Sequence, residues 1–324
     1  MSDLDRTCRE IEPDLVALGA GEAGGAETER VERHVARCAP CRDELTRYRA
    51  LDGMVGTLRE GRLAGEDPTL ARAELEARLA DLRSRVVHFG VYPSALGPIL
   101  IARSELGVAR VRYLEGGARS LAAQVREALG EDAVEDEEAV EGLHRELVEY
   151  LEGRRAQLDW TLDLRGARSG FQRRVLEATA RVPYGAVMSY AGIARAIGRP
   201  EAVRPVAQAL RHNPVPIVVP CHRIIGSDGA LVGYAGKKLG LKERLLAIEG
   251  VRTEAGPGDP RVNRNRMYAL QAGETEYCLP TCGSLSRQQL AGLTLFGSRR
   301  RAEAVGLAPC TSCRPDLHPL PEQG

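Results

Sequence analysis

Eight cysteines, at positions 8, 38, 41, 221, 278, 282, 310 and 313, constrain this chain more than any other feature. In an oxidising compartment such a set becomes a disulfide framework; in a reducing one it serves metal ligation or thiol chemistry. The opening MSDLDRTCRE is acidic and lacks the basic and apolar regions of a secretory signal, and no run of about 18 uninterrupted apolar residues occurs. The expectation is a soluble, cytoplasmic protein with no membrane partner, whose thiols stay reduced. With 324 residues, 43% of them hydrophobic, the chain can bury several cores, which excludes a disordered or fibrous protein.

Charge is unevenly spread. Lys plus Arg (45) balances Asp plus Glu (45) overall, which argues against a uniformly basic nucleic-acid coat. Residues 166–252, however, hold 14 Lys or Arg against 5 Asp or Glu, a local surplus of 9 positive charges that suits a phosphate-rich partner.

The periodicity divides the chain. Residues 1–84 read as a small helical unit, with helical spacing in ERVERHVARCAPCRDELTRYRALDGMVGTLRE and TLARAELEARLADLRSR. Residues 85–165 open on three strand-like runs, RVVHFGVYP, GPILIARS and GVARVRYL, which predict an antiparallel sheet. Two helices follow, SLAAQVREALG and AVEGLHRELVEYLEG, around the acidic run EDAVEDEE, read as a solvated loop or helix face. Residues 166–254 alternate helices with Pro- and Gly-marked turns and contain the run PIVVPCHRIIG, read as extended, with Cys221 at a strand end. Residues 255–265 read as a linker, 266–316 as a short cysteine-bearing domain and 317–324 as a Pro-rich tail. The fold class expected is α+β and multidomain.

The cysteines fall in three settings. His34, Cys38 and Cys41 are spaced i, i+4, i+7, which on one helix would place all three on a single stripe. Imidazole and thiolates converging there suit tetrahedral zinc, with Cys8 as an upstream fourth ligand; the bland alternative is a surface helix with incidental thiols. Cys278, Cys282, Cys310 and Cys313 form a C-x3-C and a C-x2-C knuckle, the ligand set of a closed structural zinc site in a domain small enough to need one. Two zinc sites and no organic cofactor are expected. Cys221 stands apart in P-C-H-R, where the imidazole of His222 could draw off the thiol proton; the alternative is a buried structural cysteine.

Three resemblances attach to these motifs. H-x3-C-x2-C resembles the zinc-binding anti-sigma family over about the first 50 residues, which implies a helical zinc module and a sigma factor or other protein partner. MYALQAGETEYCLPTC with EAVGLAPCTSCRPD resembles the methylphosphotriester-repair domain of Ada-type proteins, in which the first knuckle cysteine, here Cys278, is both zinc ligand and methyl acceptor. Leu279 replaces that family's usual Arg. NPVPIVVPCHRIIGSDGALVGYAG closely resembles the active-site signature of the O6-alkylguanine-DNA alkyltransferases, over about residues 86–252.

The last resemblance implies an RNase H-like sheet domain followed by a winged helix-turn-helix domain, and single-turnover DNA repair of alkylated guanine in duplex DNA. It implies that Cys221 takes the alkyl group, that His222 acts as a base through a water, that Glu249 orients His222 and that Asn213 braces the segment. It further implies that Arg204 fills the space of a flipped-out nucleotide, that Arg211 and Gln208 contact DNA among the small neighbours Ala207 and Ala209, and that Tyr190 pushes a phosphate and reaches the base. Tyr234 and the backbone N–H of Ala235 would line the base pocket, and Arg223 would hold the fold by ion pairing. A reading of another class is a damage- or redox-responsive regulator that binds a sigma factor through residues 1–84.

Overall fold

The computed structural model describes residues 3–60, 72–79, 86–115, 120–130, 133–234, 238–256, 260–285 and 289–321. The chain divides into two compact units, Met1–Arg78 and Leu79–Gly324. Among the described residues no helix is long and apolar enough to cross a membrane.

The first unit opens on the helices α1 (Asp3–Gly19), α2 (Gly25–Val35) and α3 (Ala39–Glu60). Leu15, Val31 and Leu45 meet in its core together with Cys38 and Cys41. The single helical stripe expected for His34, Cys38 and Cys41 is corrected here. His34 lies in the last turn of α2, Cys38 in the connection and Cys41 in the first turn of α3. Pro40 accounts for the break, because a proline lacks the N–H that would continue α2 but is tolerated in a first turn. Of the second predicted helix only 72–79 falls within the described residues, and it is helical.

The second unit opens on a four-stranded sheet ordered β3-β2-β1-β4, built from β1 (Val87–Tyr92), β2 (Ile99–Ser104), β3 (Gly107–Tyr113) and β4 (Ala133–Glu135). The first three strands form the predicted antiparallel meander. β4, which pairs parallel to β1, comes out of the acidic run read as a loop. Two apolar residues, Ala133 and Val134, suffice for a three-residue edge strand, and charge is common on sheet edges. Two helices complete this layer. Ser120 caps α4 (Leu121–Leu129) by accepting from Ala123 N at 3.2 Å, and Asp136 caps α5 (Glu137–Leu151) by accepting from Ala139 N at 3.0 Å. α5 buries Val140, Leu147, Tyr150 and Leu151, one face of a 3.6-residue period, in the core shared with Ile99, Ile101 and Val111.

The chain then runs through α6 (Gly170–Ala180), β5 (Ala186–Ser189), α7 (Tyr190–Ala196), α8 (Val203–Arg211), β6 (Ile224–Ile225) and α9 (Leu239–Ile248). Serines 169 and 189 cap α6 and α7. β7 (Thr253–Glu254) pairs antiparallel with β8 (Arg261–Val262), so the stretch 255–265 read as a linker follows one strand of a pair and contains the other. The cysteine-bearing segment contributes β9 (Tyr268–Gln271), β10 (Glu276–Cys278), β11 (Leu293–Phe296), the short helix α10 (Arg299–Ala304) and β12 (Ala308–Pro309). These strands share one six-stranded sheet with β5 and β6, in the order β12-β10-β9-β11-β5-β6. β11 joins the two halves by pairing Thr294, Leu295 and Phe296 with Met188, Val187 and Ala186. Beneath the sheet one core mixes Val187, Ile225, Leu231 and Leu246 with Leu293, Leu295, Cys278, Cys282 and Cys310.

Candidate active site

Three prolines shape the segment that carries Cys221. The run expected to be extended, 216–226, is strand only at Ile224–Ile225 and begins as a compact turn: Val219 N donates to Val215 O at 2.9 Å, Pro216 and Val219 form an isolated bridge, and Ile217 takes a positive φ of 76°. Prolines 214, 216 and 220 offer no N–H to a strand ladder, so the run cannot pair as one. Cys221 accordingly opens a 3-10 turn, Cys221–Arg223, rather than ending a strand, and β6 follows it directly.

This turn sets Cys221 against Asn213 and both His222 and Arg223 against Glu249. Asn213 Nδ2 donates to Cys221 Sγ at 3.2 Å and to Val219 O at 2.9 Å, while its Oδ1 accepts from Val215 N at 3.0 Å. These hydrogen bonds close the turn around the sulfur. His222 is fully buried and places Nε2 2.6 Å from Glu249 Oε1, with Glu249 positioned at the C-terminal cap of α9. Arg223 clamps the same carboxylate through Nε at 2.9 Å and Nη2 at 3.0 Å and donates to Val182 O at 2.5 Å, as its fold-holding role anticipates.

The electrostatics assign protons. Burial pushes the Glu249 carboxyl up, but the adjacent His222 and Arg223 outweigh it and hold the group at about 2, so it is ionised. Burial lowers His222 below its ordinary 6.5 despite Glu249, which leaves the imidazole neutral at pH 7. An ionised carboxylate only accepts, so Nε2 carries the hydrogen and Nδ1 keeps a lone pair. That Nδ1 is buried and has no hydrogen-bond partner among the described residues. Burial raises the Cys221 thiol, opposed by the Asn213 hydrogen bond and by Lys242, so the sulfur holds its proton at neutrality. A protonated thiol followed in the chain by a buried imidazole whose Nδ1 has no partner among the described residues supplies the groups that a nucleophile and its base require.

The remaining predicted residues surround this centre or lie apart from it. Tyr234 is buried, shares a 2.7 Å hydrogen bond with Tyr113 and stands edge-on to the His222 ring at 6.3 Å. Tyr190 donates to Val232 O at 3.0 Å. Ala235 lies outside the described residues. Arg204, Gln208 and Arg211 share the exposed face of α8, opposite buried Val206, Ala209 and Leu210.

Both predicted metal clusters come together. Cys8, His34, Cys38 and Cys41 converge, as do Cys278, Cys282, Cys310 and Cys313, each set with its ligand atoms within 4.8 Å of one another. Cys8 Sγ lies 3.8 Å from Cys38 Sγ and 3.6 Å from His34 Nε2. A tetrahedral zinc with Zn–S bonds of about 2.3 Å needs sulfurs about 3.8 Å apart, so this donor set fits zinc in chemistry and in span.

The family models agree with this division of labour. Residues 87–164 match the ribonuclease-like domain of 6-O-methylguanine DNA methyltransferase, residues 170–251 match its DNA binding domain, and residues 8–42, which span all four N-terminal ligands, match a putative zinc-finger. A methylated-DNA–protein-cysteine methyltransferase of Methanosarcina acetivorans is 37% identical over 164 residues, which are 51% of this chain and 99% of that protein. The chain belongs to the methylated-DNA–protein-cysteine methyltransferase family. A methyltransferase of the same name from Mycobacterium tuberculosis is also 37% identical, over 52% of this chain and 96% of its own length. The crystal structure of the M. tuberculosis O6-methylguanine methyltransferase is 36% identical over 53% of this chain and 96% of that one, with a TM-score of 0.44.

Sequence reasoning missed three contributors to this methyltransferase site. Tyr150 donates to Glu249 Oε1 and accepts from Arg223 Nη2 at 3.3 Å. Its spacing on α5 is that of a core aromatic and its partner lies 99 residues away, so no local signal marks it. Gly185, at φ 71°, donates its N–H to Glu249 Oε2 at 3.1 Å, and a Cβ there would meet Glu249 O at 2.9 Å. Lys242 is fully buried, donates to Ile224 O at 2.5 Å and Val232 O at 3.1 Å, and is drawn down to about 8 by burial. A lysine in a short helix reads as solvated, and only the fold reveals that this one is not.

Proposed function

We propose that this chain repairs DNA by moving a methyl or larger alkyl group from guanine O6 to Cys221, once per molecule. The observation that carries the reading is the unpartnered, buried Nδ1 of His222, held by Glu249 next to a Cys221 thiol that Asn213 braces. The thiol proton passes through a water to Nδ1 as sulfur attacks the alkyl carbon. The S–C bond forms as the C–O6 bond breaks, the electron pair stays with the guanine, and the base leaves neutral by taking up one proton that the His222 imidazolium gives back through water, so the thiol proton ends on the guanine. Glu249 keeps its charge throughout and stabilises the imidazolium, in the logic of a Cys-His-Glu relay.

A guanine stacked in a duplex is out of reach of the sulfur, so the nucleotide must rotate out. The exposed α8 face suits the minor groove: Arg204 fills the vacated space while Gln208 and Arg211 contact the backbone. Tyr190 meets the phosphate and the base, and Tyr234 with the Ala235 N–H lines the pocket. We read 85–165 as an RNase H-like domain, 166–254 as a winged helix-turn-helix domain, and 1–84 and 266–316 as zinc-bound flanking modules. The closed set of four cysteines, three of them buried, supports a structural zinc site in the last of these, and transfer from a phosphotriester to Cys278 is the further acceptor reaction its motif implies. A duplex with one O6-methylguanine bearing a tritiated methyl tests the main reading. One label per chain is expected in wild type and none in Cys221→Ala; label retained in that variant contradicts it.

A second reading draws on the converging Cys8, His34, Cys38 and Cys41 and the zinc-finger match over 8–42. In it the N-terminal module binds a sigma factor and responds to damage or oxidation at its thiols. Copurification of a sigma factor with wild type, abolished in Cys38→Ser, is the expected result; equal recovery with both contradicts it.

A further inference from the structure

Three segments far apart in sequence bring together cations of which Arg110, Arg168 and Arg211 have no acidic partner among the described residues. Arg110 and Arg112 flank Val111 on β3, and Val111 N donates to Pro214 O, just beyond α8, at 2.9 Å. Gln172 fastens the other two segments. Its Nε2 donates to Ala209 O at 3.1 Å and His212 O at 3.0 Å, and its Oε1 accepts from Arg168 N at 2.7 Å. Arg168, Arg211 and His212 are exposed, and Arg110 is half-buried.

Like charges face one another across this junction. Burial lowers Arg110, and so do Arg112 and Arg168; burial also lowers His212, and so do Arg168 and Arg211. Arg112 has a counter-ion, Glu127, at 3.0 Å. Among the described residues the guanidinium groups of Arg110, Arg168 and Arg211 have none. Arg168 also precedes the N-terminus of α6, where a cation adds to the positive end of the helix rather than opposing it. A patch that repels itself in the free protein gains most from an external anion.

We infer that the DNA-binding surface does not end at α8 but continues over Arg168 and onto Arg110 of the N-terminal sheet, where it takes the phosphate backbone of the duplex. This rests on the DNA reading above and extends it: Arg168 and Arg110 supply sequence-independent contacts that hold the duplex while α8 works in the groove. The ribonuclease-like domain is then a part of the DNA clamp and not only a support for the acceptor domain.

The test measures binding of a fluorescent, unmodified 20-base-pair duplex across a salt series for the full chain, Arg168→Ala, Arg110→Ala/Arg168→Ala and, as a charge control, Arg145→Ala on the outer face of α5. Each lost phosphate contact lowers the slope of log affinity against log salt by about 0.9. We expect a slope reduced by about 1 in Arg168→Ala and by about 2 in the double variant, with affinity several-fold weaker at low salt. Arg145→Ala should match wild type, and all variants should accept methyl from the free base O6-methylguanine at the wild-type rate. Wild-type slopes in both Arg168 variants overturn the extension alone, whereas a wild-type chain that does not bind the duplex overturns the extension and the DNA reading together.

Discussion

Glu249 is the residue on which most of the site converges. It receives His222, Arg223, Tyr150 and the Gly185 N–H with no exposure to solvent. Removing one member of a buried ion pair leaves the other uncompensated, at a cost of about 3–5 kcal/mol. Glu249→Gln should therefore lower the thermal midpoint sharply and slow transfer, because the amide neither pairs Arg223 nor stabilises an imidazolium. Tyr150→Phe removes a single buried hydroxyl and should cost less, about 1–3 kcal/mol by urea unfolding. The pH dependence follows from the same residues. Glu249 is held at about 2, below its ordinary 4.5, so its stabilisation is complete above pH 4.5 and is lost as pH falls towards 2. His222 is lowered below 6.5 and folds neutral, so the unfolded chain binds the extra proton first and stability also declines as pH drops below 6.5. Urea midpoints should be flat near neutrality and fall on the acid side, and the transfer rate should fall with them as His222 is protonated. A rate that rises between pH 7 and pH 5 would contradict a neutral histidine base. Cys221, His222 and Asn213 were legible because they sit in one short motif, and Glu249 because a family pattern fixes its place. Tyr150 and Lys242 were not, since each looks like ordinary helix composition until the partner arrives from a distant segment.

The turn at 214–220 puts two elementary effects in opposition. Ile217 is a β-branched residue at φ 76°, a conformation that costs about 1–2 kcal/mol, yet its side chain is only 2% exposed. Ile217→Gly would relieve the backbone but remove a buried side chain worth about 2–5 kcal/mol. Packing wins on these magnitudes, so the variant should be destabilised, and gain of stability by thermal unfolding would show the strain to dominate. The same turn explains an error of reading. Apolar residues between glycine and proline look like a buried strand, and only the missing N–H groups of three prolines reveal that no ladder can form. Helices were read more faithfully, since α5, α6 and α7 begin at Asp136, Ser169 and Ser189, whose side chains cap them. β4 was hidden because three residues carry no measurable period.

At the scale of the whole chain, the notable feature is that the four-cysteine segment and the acceptor domain share a sheet. β6 leaves directly from the Cys221–Arg223 turn, pairs with β5, and β5 pairs with β11. Cys278, Cys282 and Cys310 lie in the same core as Val187 and Ile225. Loss of metal from this cluster should thus lower the stability of the acceptor domain and not merely unfold a tail. Zinc analysis of the full chain should give about two ions per molecule, one for each cluster. Cys282→Ser should lower both the zinc content and the thermal midpoint of alkyl transfer competence, while Cys8→Ser should lower zinc content and leave transfer unchanged. Sequence spacing identified both ligand sets but could not reveal the shared sheet, because strand partners are chosen by tertiary packing and the stretch between looked like a linker. The central claim remains that one sulfur takes the alkyl group. Peptide mapping by mass spectrometry after incubation with an O6-methylguanine duplex tests it most directly: the account predicts a single added methyl on the peptide containing Cys221, and a methyl found only on another peptide would contradict it.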